Sequence, residues 1–182
     1  MNDFEQIREK EFEKFQSAIR SENDPIMLVL RAHLFSENLL ERLINFKLPR
    51  GYKVTENGSL TYHQKLLIVE SLDCIPDSIV SSLRNLNKLR NQCAHELNKK
   101  IEDGDVTRIG SPLGKEFTKM KRHSKFDDAF LLQLVISYVC GYLTGRCLAS
   151  EHTEPALEKG SKGNEVITWS PTEAAQKVAQ PG

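Results

Sequence analysis

The four cysteines of this 182-residue chain lack the CxxC spacing that zinc ribbons and redox centres use. Cys93, Cys140 and Cys147 instead fall among apolar residues at helical spacing, which is typical of small core side chains. The sequence therefore predicts no zinc site, no redox motif and no cofactor. A reducing compartment suits such a chain.

The N-terminus has no apolar run, because the first fifteen residues, MNDFEQIREKEFEKF, are rich in charge. A signal peptide needs an apolar central region, so we expect none. Residues 129–145 carry no charge over 17 positions, which is the lower limit for a membrane span. Polar residues and two glycines within this run, and charges beside it, favour a buried core helix. We expect a cytoplasmic protein with no membrane partner.

Neither sign of charge dominates, since 25 Lys and Arg balance 25 Asp and Glu. This balance argues against a globally basic nucleic-acid binder. The charges are unevenly placed, however. Residues 84–125 contain eleven basic and five acidic residues, a surplus of six positive charges. A local basic patch can hold phosphates even when the whole molecule is neutral.

No alternating strand pattern of convincing length occurs, and apolar residues recur at helical spacing almost throughout. The length suits one domain with a real core. We predict an all-α bundle of four to five helices over residues 1–149, followed by a disordered tail over 150–182. The predicted helices are 2–20, 25–47, 61–73, 76–101 and 126–149, with a turn-rich loop at 49–58 and a long basic connection at 102–125.

Arg90 breaks the apolar pattern of the fourth predicted helix. It projects into the stripe formed by Ile79, Leu83, Leu86, Cys93 and Leu97. A guanidinium on a core-facing stripe is costly unless it is paired or lies at an interface.

The second predicted helix has a matching irregularity. His33, Glu37 and Glu41 fall among Leu30, Leu34, Leu40 and Ile44 of its apolar face. Because buried charges occur in pairs, we predict Glu37 or Glu41 as the structural partner of Arg90.

Other interpretations of these residues stay open. Arg90 is equally well explained as one member of a structural ion pair. His33, Glu37 and Glu41 lie at i, i+4 and i+8, as metal ligands do in carboxylate bundles, but the second Glu-x-x-His helix of such sites is missing, so we predict no metal. The segment 114–125, GKEFTKMKRHSK, is either a solvated basic loop or an RNA contact.

The string LNKLRNQCAHELNKKI, residues 86–101, resembles the signature of the HEPN superfamily. That signature is an Arg, four to six residues and then a His, commonly with a polar residue directly after the Arg. Here it consists of Arg90, Asn91 and His95. The preceding segments RAHLFSENLLERLI and LTYHQKLLIVESLDCIP resemble the two helices before the motif helix, and they look most like the mannitol-operon-repressor subgroup. The resemblance covers residues 24–149.

This resemblance implies a helical bundle that forms a homodimer, with the two motifs facing each other across a cleft. It also implies metal-independent endoribonuclease activity, often in toxins or defence effectors that an antitoxin or regulatory protein partner controls. Arg90 and His95 would be the catalytic pair and Asn91 the polar helper. Basic side chains around the motif would bind the RNA, namely Lys88, Lys119, Lys121, Arg122 and Lys125.

The residue types suit this chemistry. Histidine can exchange protons with the 2′-OH or the leaving 5′ oxygen near neutral pH. An arginine fork can stabilise the charge that develops on the phosphorane. The repressor-like subgroup also supports an alternative, in which a non-catalytic HEPN module binds RNA or a protein partner and regulates expression.

Overall fold

The computed structural model describes residues 3–20, 24–57, 59–124 and 127–157 of the chain. Within these ranges all regular structure is helical, which confirms the predicted all-α fold class. A π-helical turn, Gln16–Arg20, extends the first helix, and a 3-10 turn, Ser111–Leu113, precedes the seventh. The α-helices are α1 (Asp3–Phe15), α2 (Pro25–Lys47), α3 (Gly51–Asn57), α4 (Tyr62–Ser71), α5 (Asp77–His95), α6 (Asp103–Gly110), α7 (Lys115–Ser124) and α8 (Asp128–Leu157).

Two helices begin at capping residues that stand out in the sequence. The Asp24 carboxylate accepts the backbone N–H of Ile26 at 2.8 Å, and Pro25 opens α2. At α4 the Thr61 hydroxyl accepts the backbone N–H of Gln64 at 3.3 Å, and the Gln64 side chain accepts the N–H of Thr61 at 2.9 Å. These caps fix the starting points of the two helices that flank the candidate site.

Helices α2 and α8 pack along each other at the centre of the bundle. The faces of α2 that α8 leaves free contact α3, α4 and α5, and α5 also contacts α6. Side chains from α2, α4, α5, α6 and α8 pack together in one apolar core. The largest fully buried side chains are Ile19, Leu39, Leu40, Leu43, Ile44, Leu66, Ile79, Leu83, Leu86, Ile109, Leu132 and Ile136.

Helix α8 contains the uncharged segment 129–145. By length and composition alone, Asp128–His152 could cross a membrane, and it is the one candidate among the described residues. Its most apolar window is 61% buried inside the protein. Leu132, Val135, Val139 and Leu143 all belong to the core. This burial confirms the prediction of a core helix.

A charged cluster joins three helices at one end of α8. Arg42 of α2 donates to Glu11 of α1 at 2.7 Å and makes two hydrogen bonds to Glu151 of α8, at 3.0 and 2.8 Å. Such forked guanidinium–carboxylate pairs fix orientation as well as distance. Glu151 lies in the segment predicted to be a disordered tail, so this prediction is wrong for residues 150–157. The rest of the predicted tail, 158–182, lies outside the described residues.

The predicted basic connection at 102–125 is instead largely helical, as α6 and α7. Its apolar residues recur every three to four positions, and Val106, Ile109, Leu113, Phe117 and Met120 are buried. The glycines of this segment that suggested a loop do not prevent helix formation. Gly110 and Gly114 stand at helix ends, and the latter has a φ of +60° that glycine adopts without strain.

Two further boundaries differ from prediction. The predicted loop at 49–58 contains α3, whose first residue Gly51 approaches α2 so closely that a Cβ would lie 2.3 Å from the Ile44 carbonyl oxygen. Helix α5 ends at His95 rather than near residue 101, because Glu96 is extended. Leu97 therefore leaves the predicted core stripe and is 99% exposed, and Leu34 of α2 is 63% exposed.

Candidate anion-binding site on helix α5

Helix α5 carries the Arg-x4-His motif on its C-terminal half. Lys88, Asn91 and His95 are exposed, while Arg90 is half-buried. At 100° per residue, Arg90 and His95 project about 140° apart around the helix axis. One chain therefore presents the two motif side chains on different sides of α5.

Arg90 has no acidic partner among the described residues. Its Nη1 donates one hydrogen bond, to Oδ1 of Asn91 at 3.2 Å. A guanidinium has five N–H donors, so most of its donor capacity stays available to a ligand. A planar fork of this kind suits the two oxygens of a phosphate or carboxylate.

The carboxylates predicted to pair with Arg90 pair with another residue. Lys65 of α4 contacts Oε1 of Glu37 and Oε1 of Glu41, each at 2.7 Å. Within this chain Glu37 and Glu41 therefore pair with Lys65, and the predicted pairing with Arg90 is wrong. The i, i+4 spacing does place both carboxylates on one face of α2, but α4, not α5, supplies the cation for that face.

Lys65 itself is only 7% exposed. Burial alone would lower the pKa of the Lys65 ammonium, but the hydrogen bonds to Glu37 and Glu41 outweigh burial and raise it. The group therefore stays charged and remains bound to both carboxylates. Lys65 is not among the site residues predicted from the sequence. It lies beside Tyr62, Leu66 and Val69 on the buried side of α4, where a lysine is unusual.

His33 connects α2 to α5 inside the protein. Its Nε2 donates to Oδ1 of Asn87 at 2.9 Å, and its ring stacks on Tyr62 with centroids 4.1 Å apart. The imidazole is 5% exposed, and its Nδ1 has no hydrogen-bond partner among the described residues. The Asn87–His33 bond fixes α5 against α2 one turn before Arg90.

Burial lowers the pKa of His33 and outweighs the hydrogen bond to Asn87 and the charge of Glu37, which raise it; the positive charges of Arg90 and Lys65 add smaller lowering effects. His33 is therefore a neutral residue that holds the two helices together at neutral pH. No group of three or more His, Cys, Asp or Glu side chains in the described ranges is arranged to hold a metal ion.

The predicted RNA-binding cations are distributed over two elements. Lys88 is exposed on α5 itself, whereas the others that can be described belong to α7, which packs on α8 and the 3-10 turn. Lys119 pairs with Glu116 at 2.7 Å. Lys121 lies 3.6 Å from Asp103 and 5.3 Å from the centre of the Phe117 ring. Arg122 is exposed, and Lys125 lies outside the described residues.

Comparison with protein-family models, with curated proteins and with solved structures finds no match for this chain. The site must therefore be interpreted from its own chemistry. Its central feature is Arg90, a partly exposed residue whose guanidinium pairs with no carboxylate of the described chain, next to exposed polar and basic groups on the same helix.

Proposed function

We propose that this chain is a metal-independent endoribonuclease of the HEPN type, which acts as a toxin or defence effector in the cytoplasm. The observation that carries the proposal is Arg90, a half-buried cation whose one hydrogen bond within the described chain goes to the neutral Asn91. A guanidinium without a carboxylate partner keeps most of its N–H donors available to an anionic ligand. A phosphodiester is such a ligand.

The proposed reaction uses the 2′-OH of RNA as the nucleophile. That oxygen attacks the adjacent phosphorus, the bond to the 5′ oxygen breaks, and a 2′,3′-cyclic phosphate and a 5′-hydroxyl result. His95 exchanges a proton with either the 2′-OH or the leaving oxygen. Arg90 donates hydrogen bonds to the non-bridging phosphate oxygens as their charge rises, and Asn91 orients the guanidinium.

A second copy of the chain is part of the proposal. Because Arg90 and His95 diverge by about 140° on one helix, a single chain presents them poorly to one phosphate. In a homodimer with facing α5 helices, Arg90 of one copy and His95 of the other can act on the same phosphodiester. Lys88, exposed on the same helix, would bind flanking phosphates, while the α7 cations would contact more distant parts of the RNA.

The same divergence favours an alternative function, a non-catalytic module that binds RNA or a protein partner and regulates expression. In that case Arg90 holds a phosphate or carboxylate, and His95 takes part in no chemistry. An antitoxin or regulatory protein would then act through binding alone.

Cleavage of total RNA by the purified protein in excess EDTA tests the proposal. Arg90→Ala and His95→Ala are each expected to reduce the rate by about a hundredfold or more, since each removes a group acting in the transition state. Arg50→Ala is the matched control, because Arg50 is an exposed arginine in the turn after α2. RNA binding without cleavage, unchanged in His95→Ala, would contradict the nuclease and support the alternative.

A further inference from the structure

We propose that the junction of α5 and α6 is an RNA-binding subsite, in which Lys88 and Arg108 hold phosphates of a strand that leads to His95. The inference rests on the proposed function in the identity of the anion, which is RNA. It assigns a role to Arg108, a residue of α6 that lies outside the motif helix and outside the cations predicted to bind RNA.

A hydrogen bond joins α5 to α6. Nδ2 of Asn85 on α5 donates to the carbonyl oxygen of Arg108 on α6 at 2.7 Å. Lys99, just beyond the end of α5, lies 2.8 Å from the carboxylate of Asp105, earlier in α6. Helix α6 therefore leads from the end of α5 back toward Asn85, and Arg108 is held beside the middle of α5.

Lys88 lies at the same junction. It follows Asn85 by three residues, so the two side chains are neighbours about 60° apart around the axis of α5, with Cβ atoms about 5–6 Å apart. Asn85 contacts α6, whereas Lys88 is exposed. Lys88 therefore lies on the solvent side of the contact between the two helices.

The side chain of Arg108 extends along α6 toward the N-terminus of that helix. Its Nη1 lies 3.8 Å from Oδ1 of Asp105, one turn earlier, and the side chain is 54% exposed. Because α6 leads back from the end of α5, this direction is toward the C-terminal half of α5, where Lys88 is exposed. Both cations thus lie on one side of the Asn85–Arg108 hydrogen bond.

The charges of the two cations are poorly neutralised within the described chain. Lys88 forms no ion pair among the described residues. The one acidic partner of Arg108 in these ranges is Asp105, at 3.8 Å, and the same carboxylate holds Lys99 at the shorter distance of 2.8 Å. Two exposed cations on adjoining helices therefore present a local positive field, which attracts phosphate.

The junction is adjacent to the proposed catalytic histidine. Seven residues separate Lys88 from His95, and seven residues bring a helix back to nearly the same side, about 10 Å farther along its axis. A strand held by Lys88 and Arg108 can therefore continue along α5 to His95. Arg90 projects about 160° away from Lys88, so in the proposed dimer this strand would meet Arg90 of the second copy.

Binding of a labelled 2′-O-methyl RNA oligonucleotide, measured by fluorescence anisotropy at several salt concentrations, tests this subsite. The probe has phosphodiesters but no free 2′-OH, so the proposed reaction does not consume it. Each phosphate contact with a single strand contributes about 0.7 to the steepness of log K against log[salt]. Lys88→Met and Arg108→Met are each expected to reduce this steepness by about 0.7 and to weaken binding about fivefold at about 0.1 M salt.

The matched controls are Lys53→Met and Arg50→Met, which remove the same charges from exposed positions on α3 and in the turn before it. Circular dichroism checks that each variant is folded, and Arg108→Gln replaces Arg108→Met if the methionine variant does not fold. Equal salt dependence in the junction variants and the controls would overturn the proposal. So would a loss with Lys88→Met but not with Arg108→Met, or a wild type that does not bind the probe.

The failure of the proposed nuclease would give a different pattern. If wild type leaves ordinary RNA intact but the probe responds to the variants as expected, cleavage is wrong and the subsite stands. If ordinary RNA is cleaved but Lys88→Met and Arg108→Met change neither the KM nor the binding of the probe, the nuclease stands and the subsite is wrong.

Discussion

At the scale of single residues, the ability of the site to bind an anion depends on which cation pairs with a carboxylate of the same chain. Lys65 and Arg90 both lie where a helical pattern expects apolar side chains. Lys65 is nearly buried between two carboxylates, whereas Arg90 is half-buried and bonded to a neutral amide. The charge of Lys65 is therefore neutralised within the chain, and that of Arg90 is available to a ligand.

His33 makes the stability of the protein sensitive to acid. Burial places its folded-state pKa below the ordinary value of 6.5, so below that pH the unfolded chain binds more protons than the folded chain. Stability is therefore full above the unfolded pKa and falls as the pH drops through 6.5 toward the folded pKa. Urea unfolding at about pH 7 and about pH 5 should show this loss in wild type.

His33→Gln removes the titrating group and should flatten this dependence, while His63→Gln, at an exposed position on α4, should retain it. An unchanged pH dependence in His33→Gln would assign the acid sensitivity to another residue. Glu11 and Asp105 do not account for it, because their pKa values are lowered from 4.5 and 3.8 by their ion pairs and they titrate at lower pH.

The sequence identifies the unusual residues of the site better than it identifies their partners. A guanidinium among apolar positions marks Arg90, and periodicity marks His33, Glu37 and Glu41 as facing the protein interior. Periodicity describes one helix at a time, however. The pairing of Glu37 and Glu41 with Lys65, and of His33 with Asn87, depends on how α2 packs on α4 and α5.

At the scale of elements, composition alone gives the wrong secondary structure for the segment 102–125. Its glycines, its proline and its many basic residues predict a loop. The apolar residues between them nevertheless lie on one side of α6 and α7, and they are buried against the core. Tertiary packing stabilises these short helices despite their weak intrinsic propensity.

Two glycines of α6 give a matched test of that packing. A Cβ on Gly110 would lie 2.2 Å from the ring of buried Phe117, whereas a Cβ on Gly104 would meet nothing within 4 Å. Gly110→Ala should lower the free energy of unfolding by about 1–3 kcal/mol, because the ring must move. Gly104→Ala should raise it by up to about 1 kcal/mol, through helix propensity.

Thermal or urea denaturation followed by circular dichroism measures both effects. Equal stability of the two alanine variants would show that Phe117 does not pack on Gly110 in solution. The prediction distinguishes a packed α6–α7 unit from a mobile basic connection, which would tolerate alanine at either position.

At the scale of the whole molecule, Arg42 connects the first, second and last helices. Its bonds to Glu11 and Glu151 span sequence separations of 31 and 109 residues. Arg42→Met should lower the free energy of unfolding by about 1.5–3 kcal/mol, the usual contribution of hydrogen bonds to charged groups. The sequence did not single out this cluster, because no local pattern links residues so far apart.

Lys119→Met is the control for Arg42→Met. It breaks an exposed i, i+3 pair with Glu116 on α7 and should change stability by less than about 0.5 kcal/mol. If the two variants were equally stable, the three-helix cluster would contribute no more than a surface ion pair. The comparison uses urea unfolding of the full chain.

The chemical ends of RNA fragments test the central claim most directly. Total RNA is incubated in EDTA with wild type or His95→Ala, and the fragment termini are identified by mass spectrometry. Attack by the 2′-OH at the Arg90 and His95 site predicts 2′,3′-cyclic phosphate and 5′-hydroxyl ends, with wild type only. Fragments with 3′-hydroxyl and 5′-phosphate ends, the same fragments with His95→Ala, or intact RNA with both proteins would contradict it.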